Sequence, residues 1–229
     1  MRAEIHYSYQ IKNLRMLSLL EGAVVMKVLV GCEYSGIVRE AFRALGHDAW
    51  SCDIIESDDN SPHHLVEDVR AVIHWQDWDL AIFHPPCQYL AVSGIHWNKR
   101  VPGRDALTDE AIEFVRELMD APIHRIAVEN PRSVISSRIR PADQLLHPYH
   151  FGEPYTKGTC FWLKNLPKLQ ATDVLELPER GYWDNQTPSR QNNASGTKDK
   201  PRWAVRSKTY EGIARAIASQ WGLKQLEPV

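Results

Sequence analysis

Cysteine is scarce in this sequence and never paired: Cys32, Cys52, Cys87 and Cys160 stand far apart, with no C-x-x-C spacing. That pattern excludes a disulfide framework and a zinc ribbon, and no metal site is expected. Cys32, Cys52 and Cys160 lie in or beside strand-like segments and are expected to be buried thiols, as suits a reducing, cytoplasmic compartment. Long apolar runs are missing too. Met16-Leu17-Ser18-Leu19-Leu20 falls far short of a membrane span or a signal-peptide core, so neither a membrane partner nor export is expected. Charge of one sign is missing: 27 Lys and Arg against 29 Asp and Glu give a formal net charge of −2. Bulk charge therefore argues neither for nor against nucleic acid, because local patches decide such binding. The full G-x-G-x-x-G signature, internal repeats and low-complexity tracts are also absent.

What is present has the size and composition of one globular domain: 229 residues, 43% hydrophobic and 24% charged. Met26-Lys27-Val28-Leu29-Val30 reads as a natural start. Residues 1–25 are therefore expected to be an extension, disordered or not native, and 26–229 a single domain.

The chain is organised around Asp79-Leu80-Ala81-Ile82-Phe83-His84-Pro85-Pro86-Cys87-Gln88. The apolar run reads as a buried strand. Two prolines stop it, since they cannot donate to a ladder. A cysteine on a stiff turn at a strand's carboxyl end is placed to attack something in a cleft. Taken alone, it is equally an inert apolar filler.

Ahead of it, Lys27–Cys32 reads as a strand running into the turn Gly31-Cys32-Glu33-Tyr34-Ser35-Gly36. Ser35 is expected to cap a helix with Val38, Ala41, Phe42 and Leu45 on one face, ended by Gly46. Ala49–Ile55 is the next strand, with Asp53 near its end. Strand, glycine turn, helix, strand and acid open a Rossmann-like unit, although a ligand-free βαβ unit reads the same way. Leu65–Val69 is a short strand or strand end. Gln88–Gly103 is a long loop carrying Tyr89, His96, Trp97, Lys99 and Arg100, with Arg104 just beyond. Thr108-Asp109-Glu110 is expected to cap a helix, and His124–Val128 a strand ending in Glu129-Asn130-Pro131. A right-handed crossover would make this strand the neighbour of the Cys87 strand, so that Cys87 and Glu129 face one crevice. Thr159–Lys164 reads as a strand, Pro178–Arg202 as a long mobile loop and Ser207–Trp221 as a closing helix.

Pro85-Pro86-Cys87-Gln88, Glu129-Asn130 and the Gly31–Gly36 turn resemble the cytosine-5 DNA methyltransferases, in the order that family has them. Phe151-Gly152-Glu153-Pro154-Tyr155-Thr156-Lys157-Gly158-Thr159 and Arg206-Ser207-Lys208-Thr209-Tyr210 resemble two later motifs of the family. The resemblance implies a Rossmann-like α/β fold with a mostly parallel, doubly wound sheet, and S-adenosylmethionine as cofactor. It implies that Cys87 adds to carbon-6 of cytosine while Glu129, beside Asn130, holds ring N3. It places Gly31, Glu33, Tyr34, Ser35 and Gly36 at the methionine portion of the cofactor, Asp53 at the ribose and Asp68 at the adenine. Ile54, Val69, Pro85 and Thr209 complete that set, and Gln88, Lys157 and Thr159 fall at the substrate.

Thr159 stands where the family has an arginine that contacts the flipped base, with Arg190, Arg202 and Arg206 as candidate replacements. His84 and Pro85 replace the usual small residues, and Pro131 a valine. The space for target recognition is reduced to about 164–206, which implies a compact enzyme of phage or restriction-modification type with low sequence selectivity. DNA is the expected partner and a monomer the expected state. The alternatives are the same chemistry on a single strand or free pyrimidine nucleotide, and an inactive relative that only binds cofactor or nucleic acid.

Overall fold

Seven strands form one sheet in the computed structural model, which describes residues 24–183 and 207–222. Strands β1 (Lys27–Gly31), β2 (Asp48–Asp53), β3 (His64–Val66), β4 (Leu80–Phe83) and β5 (Ile126–Pro131) run parallel. Strand β7 (Thr159–Lys164) enters antiparallel between β5 and β6 (Gln144–Leu146), giving the order β3-β2-β1-β4-β5-β7-β6. The helices are α1 (Ile37–Ala44), α2 (Val69–Val72), α3 (Arg104–Met119), α4 (Ile135–Arg138) and α5 (Glu211–Trp221). This is the Rossmann-like, mostly parallel, doubly wound α/β fold expected from the sequence.

The central strands are apolar at almost every position because helices cover both sheet faces. Alternation along each strand sorts these residues into two cores. Val28, Val30, Leu80, Ile82 and Ala127 pack with Phe42 of α1 and Ile213, Ile217 and Trp221 of α5. Leu29, Ala81, Phe83, Ile126 and Val128 pack on the other side with Val72 of α2 and Ile112, Val115 and Leu118 of α3.

Three local expectations are corrected. Ser35 is not the main cap of α1. Gly36, at φ 71°, is the N-cap residue, and the Glu33 carboxylate takes the N–H groups of Val38 (2.8 Å) and Arg39 (3.3 Å). A carboxylate at a helix N-terminus meets both the unpaired donors and the positive dipole end. Helix α3 begins a turn earlier than Thr108, after Gly103 at φ 77°. Buried Thr108 bonds the Arg104 and Tyr89 carbonyls and accepts from Asn98 instead of capping. The closing helix starts at Glu211 and not at Ser207.

The expected 1–25 extension lies outside the described residues except for Val24 and Val25. Arg190, Arg202 and Arg206 also lie outside them. Within the proposed recognition region, 165–183 carries no helix or strand beyond a one-residue bridge from Asp173 to Phe151. Among the described residues, no helix is long and apolar enough to cross a membrane.

Candidate active site

The connections from β1 and β4 leave in opposite directions along the sheet, which opens a crevice at their carboxyl ends. Gly31 pairs with Phe83, and Phe83 with Val128. The Gly31–Gly36 turn, the Pro85-Pro86-Cys87 turn and Glu129 therefore leave three adjacent strands at one level.

The first turn is tightly built. A Cβ on Gly31 would sit 2.6 Å from both Phe83 and Val69, so only glycine lets β1 close against them. Cys32 follows at φ 58°, an unfavourable conformation for a side chain. Glu33 is buried, and burial raises its pKa while His84, the Val38 and Arg39 N–H groups and the Arg39 charge oppose that. Tyr34 is buried too and its carbonyl accepts from the Asp58 N–H (2.9 Å). Asp58 is in turn ion-paired with Lys208, next to Thr209.

At the end of β2, Asp53 is half-buried; burial raises its pKa and the backbone N–H groups of Ile55 and Ile54 oppose the shift. Beside it Ile54 is 76% exposed, a large apolar side chain at the rim of a polar crevice. A carboxylate next to an apolar wall and a glycine turn suits a ligand with sugar hydroxyls and a flat ring, which S-adenosylmethionine has. Asp68 caps α2 through the Arg70 N–H (2.9 Å) and is paired with the Arg70 guanidinium (2.6 Å). That side-chain bond is the chief reason its pKa is lowered. Val69 behind it is buried.

The loop beyond Asp53 is fixed from behind by Arg39, which is fully buried. Its guanidinium donates to Ser51 Oγ (2.7 Å) and Glu40 (2.9 Å) and pairs with Asp59. Ser51 Oγ meets His64 Nδ1 (2.8 Å), and His64 Nε2 meets the Ile55 carbonyl (2.8 Å). One tautomer satisfies the whole chain: Arg39 donates to Ser51, Ser51 to His64, and His64 to Ile55.

Cys87 is exposed on a single turn after the two prolines, and the Leu90 and Ala91 N–H groups close that turn on its carbonyl. The other thiols suit chemistry poorly. Burial and then Asp53 push Cys32 up; the same causes push Cys52 up to about 12, and burial raises Cys160. Asn130, buried at the end of β5, donates to the Pro85 carbonyl (2.8 Å), tying the cysteine turn to the Glu129 strand. Glu129 is held on both oxygens. Oε2 lies 3.0 Å from His84 Nδ1, and Oε1 accepts from the Thr159 hydroxyl, which also reaches the Asn130 carbonyl (3.3 Å). Thr159 is thus a support for Glu129. The antiparallel register that pairs Pro131 with Thr159 brings it there.

Around the rim, Gln88 is exposed and its carbonyl accepts from Arg104 (2.8 Å), whose guanidinium covers the Tyr89 ring at 4.8 Å. Arg100 stacks over Trp97, which is largely exposed. Lys157 lies over the Tyr210 ring, beside Thr209. Burial, with Tyr155 and Glu153, pushes the Tyr210 hydroxyl up to about 12.

The Phe151-Gly152-Glu153-Pro154 turn is joined to α5: Glu153 Oε1 accepts from the Gly212 N–H at 2.5 Å. A Cβ on Gly212 would lie 2.0 Å from the Phe151 carbonyl oxygen. Helix propensity alone predicts that Gly212→Ala stabilises by about 1 kcal/mol. The backbone clash predicts the reverse, a cost of about 1–3 kcal/mol or more and a melting point lowered by several degrees. A thermal melt decides, and a raised midpoint would refute the close packing.

Sequence reasoning placed Cys87, Glu129 and Asn130 together but read His84 only as a departure and passed over Arg39 and His64. The signal for His84 was its position directly after the buried strand. Among the described residues, no three His, Cys, Asp or Glu side chains are grouped to hold a metal ion.

No protein-family model matches the chain, and no curated protein does. Among solved structures it is similar to the 16S rRNA methylase RmtB, at 12% identity and a TM-score of 0.33, over 69% of this chain and 65% of that one.

Proposed function

We propose that this protein is an S-adenosylmethionine-dependent methyltransferase that modifies carbon-5 of cytosine in DNA. The observation that carries the reading is the pairing of an exposed thiol, Cys87, with a carboxylate fixed on both oxygens, Glu129, at the ends of adjacent strands and tied together through Asn130 and Pro85.

The chemistry follows from those groups. The Cys87 thiolate forms a bond to carbon-6 of the ring. Glu129, as the acid, gives a proton to N3, so that the ring electrons gather at carbon-5. The Gly31–Gly36 turn, Asp53 and Ile54 would hold S-adenosylmethionine, which would supply an electrophilic methyl group to carbon-5. Carbon-5 then loses its proton to water, the carbon–sulfur bond breaks, and N3 returns its proton to Glu129. The thiolate and the site's proton are restored.

A second reading keeps the chemistry and changes the substrate to a single strand or a free pyrimidine nucleotide. The exposed Trp97–Arg100 stack favours this reading, since it suits unpaired bases.

The test is transfer from methyl-labelled S-adenosylmethionine to duplex DNA, single-stranded DNA and dCMP, with the labelled position identified after digestion. Label at carbon-5 in duplex DNA is expected. Label confined to single strands or dCMP would select the second reading, and label on another atom or none at all would overturn both.

A further inference from the structure

We propose that His84 is the proton reservoir of the site: it positions Glu129, lends it the proton that the substrate ring takes, and receives that proton back. This rests on the cytosine reading above and adds a residue that reading does not use.

His84 follows β4 directly, its own N–H bonded to the Gly31 carbonyl (3.0 Å), and Pro85 and Pro86 stiffen the chain after it. Its side chain is 10% exposed. Nδ1 faces Glu129, whereas Nε2 is buried with no hydrogen-bond partner among the described residues. Such an orphan is costly and calls for a functional account.

The groups acting on Glu129 differ in what they can give. Thr159 donates a hydrogen bond, but a hydroxyl does not release its proton near neutral pH. An imidazolium does. The charged groups around His84 favour that form. Burial alone disfavours it, but the bond to Glu129, the Glu129 charge and the Glu33 charge outweigh burial and raise the pKa. Arg39, whose charge also acts on Glu33, is engaged with Ser51, Glu40 and Asp59.

The proton count closes. As Cys87 adds to carbon-6, the Nδ1–H bond of His84 breaks and an O–H bond forms on Glu129. That O–H bond breaks as N3–H forms. When carbon-5 loses its proton and Cys87 departs, N3 returns its proton to Glu129 and Glu129 returns it to Nδ1. The proton lent by His84 is returned, so the imidazole needs no route to solvent, and the buried Nε2 provides none; the carbon-5 proton leaves separately, to water.

The sign of the pH dependence follows. The protonated pair is the active one, so kcat/KM falls as pH rises through the raised His84 pKa. His84→Asn tests the idea, because its amide can donate to Glu129 from near the Nδ1 position without titrating. The expected result is kcat lowered about 100-fold or more, the basic limb removed, and the melting point and KM for DNA little changed. Retention of the wild-type basic limb, with rates within about twofold, would overturn the proposal.

A second measurement does not depend on turnover. In ¹⁵N NMR titrations the His84 ring should titrate above the ordinary histidine range in the wild type, and lower in Glu129→Gln. An unmoved midpoint would overturn the pairing. Failure of the wild type to modify cytosine would sink the cytosine reading; modification that is indifferent to His84→Asn would sink only the role of His84.

Discussion

Under the proposed cytosine chemistry, Cys87→Ala is expected to abolish methyl transfer, with kcat lowered at least about 10⁴-fold, the scale on which loss of a covalent nucleophile acts in other enzymes. Carbon-5 of an unactivated cytosine is too weak a nucleophile to take the methyl group, and no other thiol can substitute. Cys32 and Cys160 have raised pKa values, Cys52 is pushed up to about 12, and these three strands' cysteines lie in or against the cores. Because Cys87 is exposed on a turn, its removal should leave stability within about 0.5 kcal/mol and cofactor affinity unchanged. Single-turnover transfer, a thermal melt and calorimetric titration with S-adenosylmethionine together check this. A variant that keeps a tenth of the wild-type rate and stays folded would rule out the covalent route and point to direct displacement at a more nucleophilic atom.

The second large effect is on stability. Arg39→Met should cost about 3 kcal/mol, because removing one partner of a buried pair strands the groups it served. Ser51 and Asp59 both lose a donor. Asp59 is 39% exposed and can be partly resolvated, which keeps the cost at the lower end of the range for buried pairs. For a domain of this size that corresponds to a melting point lowered by roughly 6–12 °C. The loop that carries Ile54 and the chain around Asp58 should exchange its amide hydrogens faster, and cofactor should bind more weakly. In the double variant with Asp59→Asn, part of the loss should be recovered, since the Asp59 charge no longer lacks a partner, while Glu40, 53% exposed, is left to solvent. Equal melting points for the single and double variants would show that the ion pair is not the source of the effect.

The sequence disclosed those parts of the site that lie at strand ends. Buried parallel strands are continuous apolar runs, so β1, β4 and β5 could be read directly, and a polar residue at each carboxyl end marked the crevice. The right-handed crossover rule then made β4 and β5 neighbours, which brought Cys87 to Glu129. What could not be read were contacts between distant residues whose types allow many roles. The His84–Glu129 bond spans 45 residues. The seating of Thr159 on Glu129 depends on β7 entering antiparallel next to β5, a pairing that no local pattern encodes. The cap of α1 went to Glu33 over Ser35 because a longer side chain from the strand end reaches two N–H groups. Arg39 resembled one more charged residue on a helix until its burial was known.

The two-core arrangement also has a consequence for how the chain is made. By the time Pro131 has been synthesised, five parallel strands, α1, α2 and α3 are available, and the core that contains Phe83, Ile112 and Val128 lacks only its later members, Ile135, Cys160 and Trp162. The opposite face, with Val28, Val30, Ile82 and Ala127, waits for Ile213, Ile217 and Trp221 of α5. About 80 residues separate these points, roughly 4–16 s of translation. During that interval the ribosome holds a half-covered sheet, and α5, the last helix among the described residues, seals it against α1, one of the first.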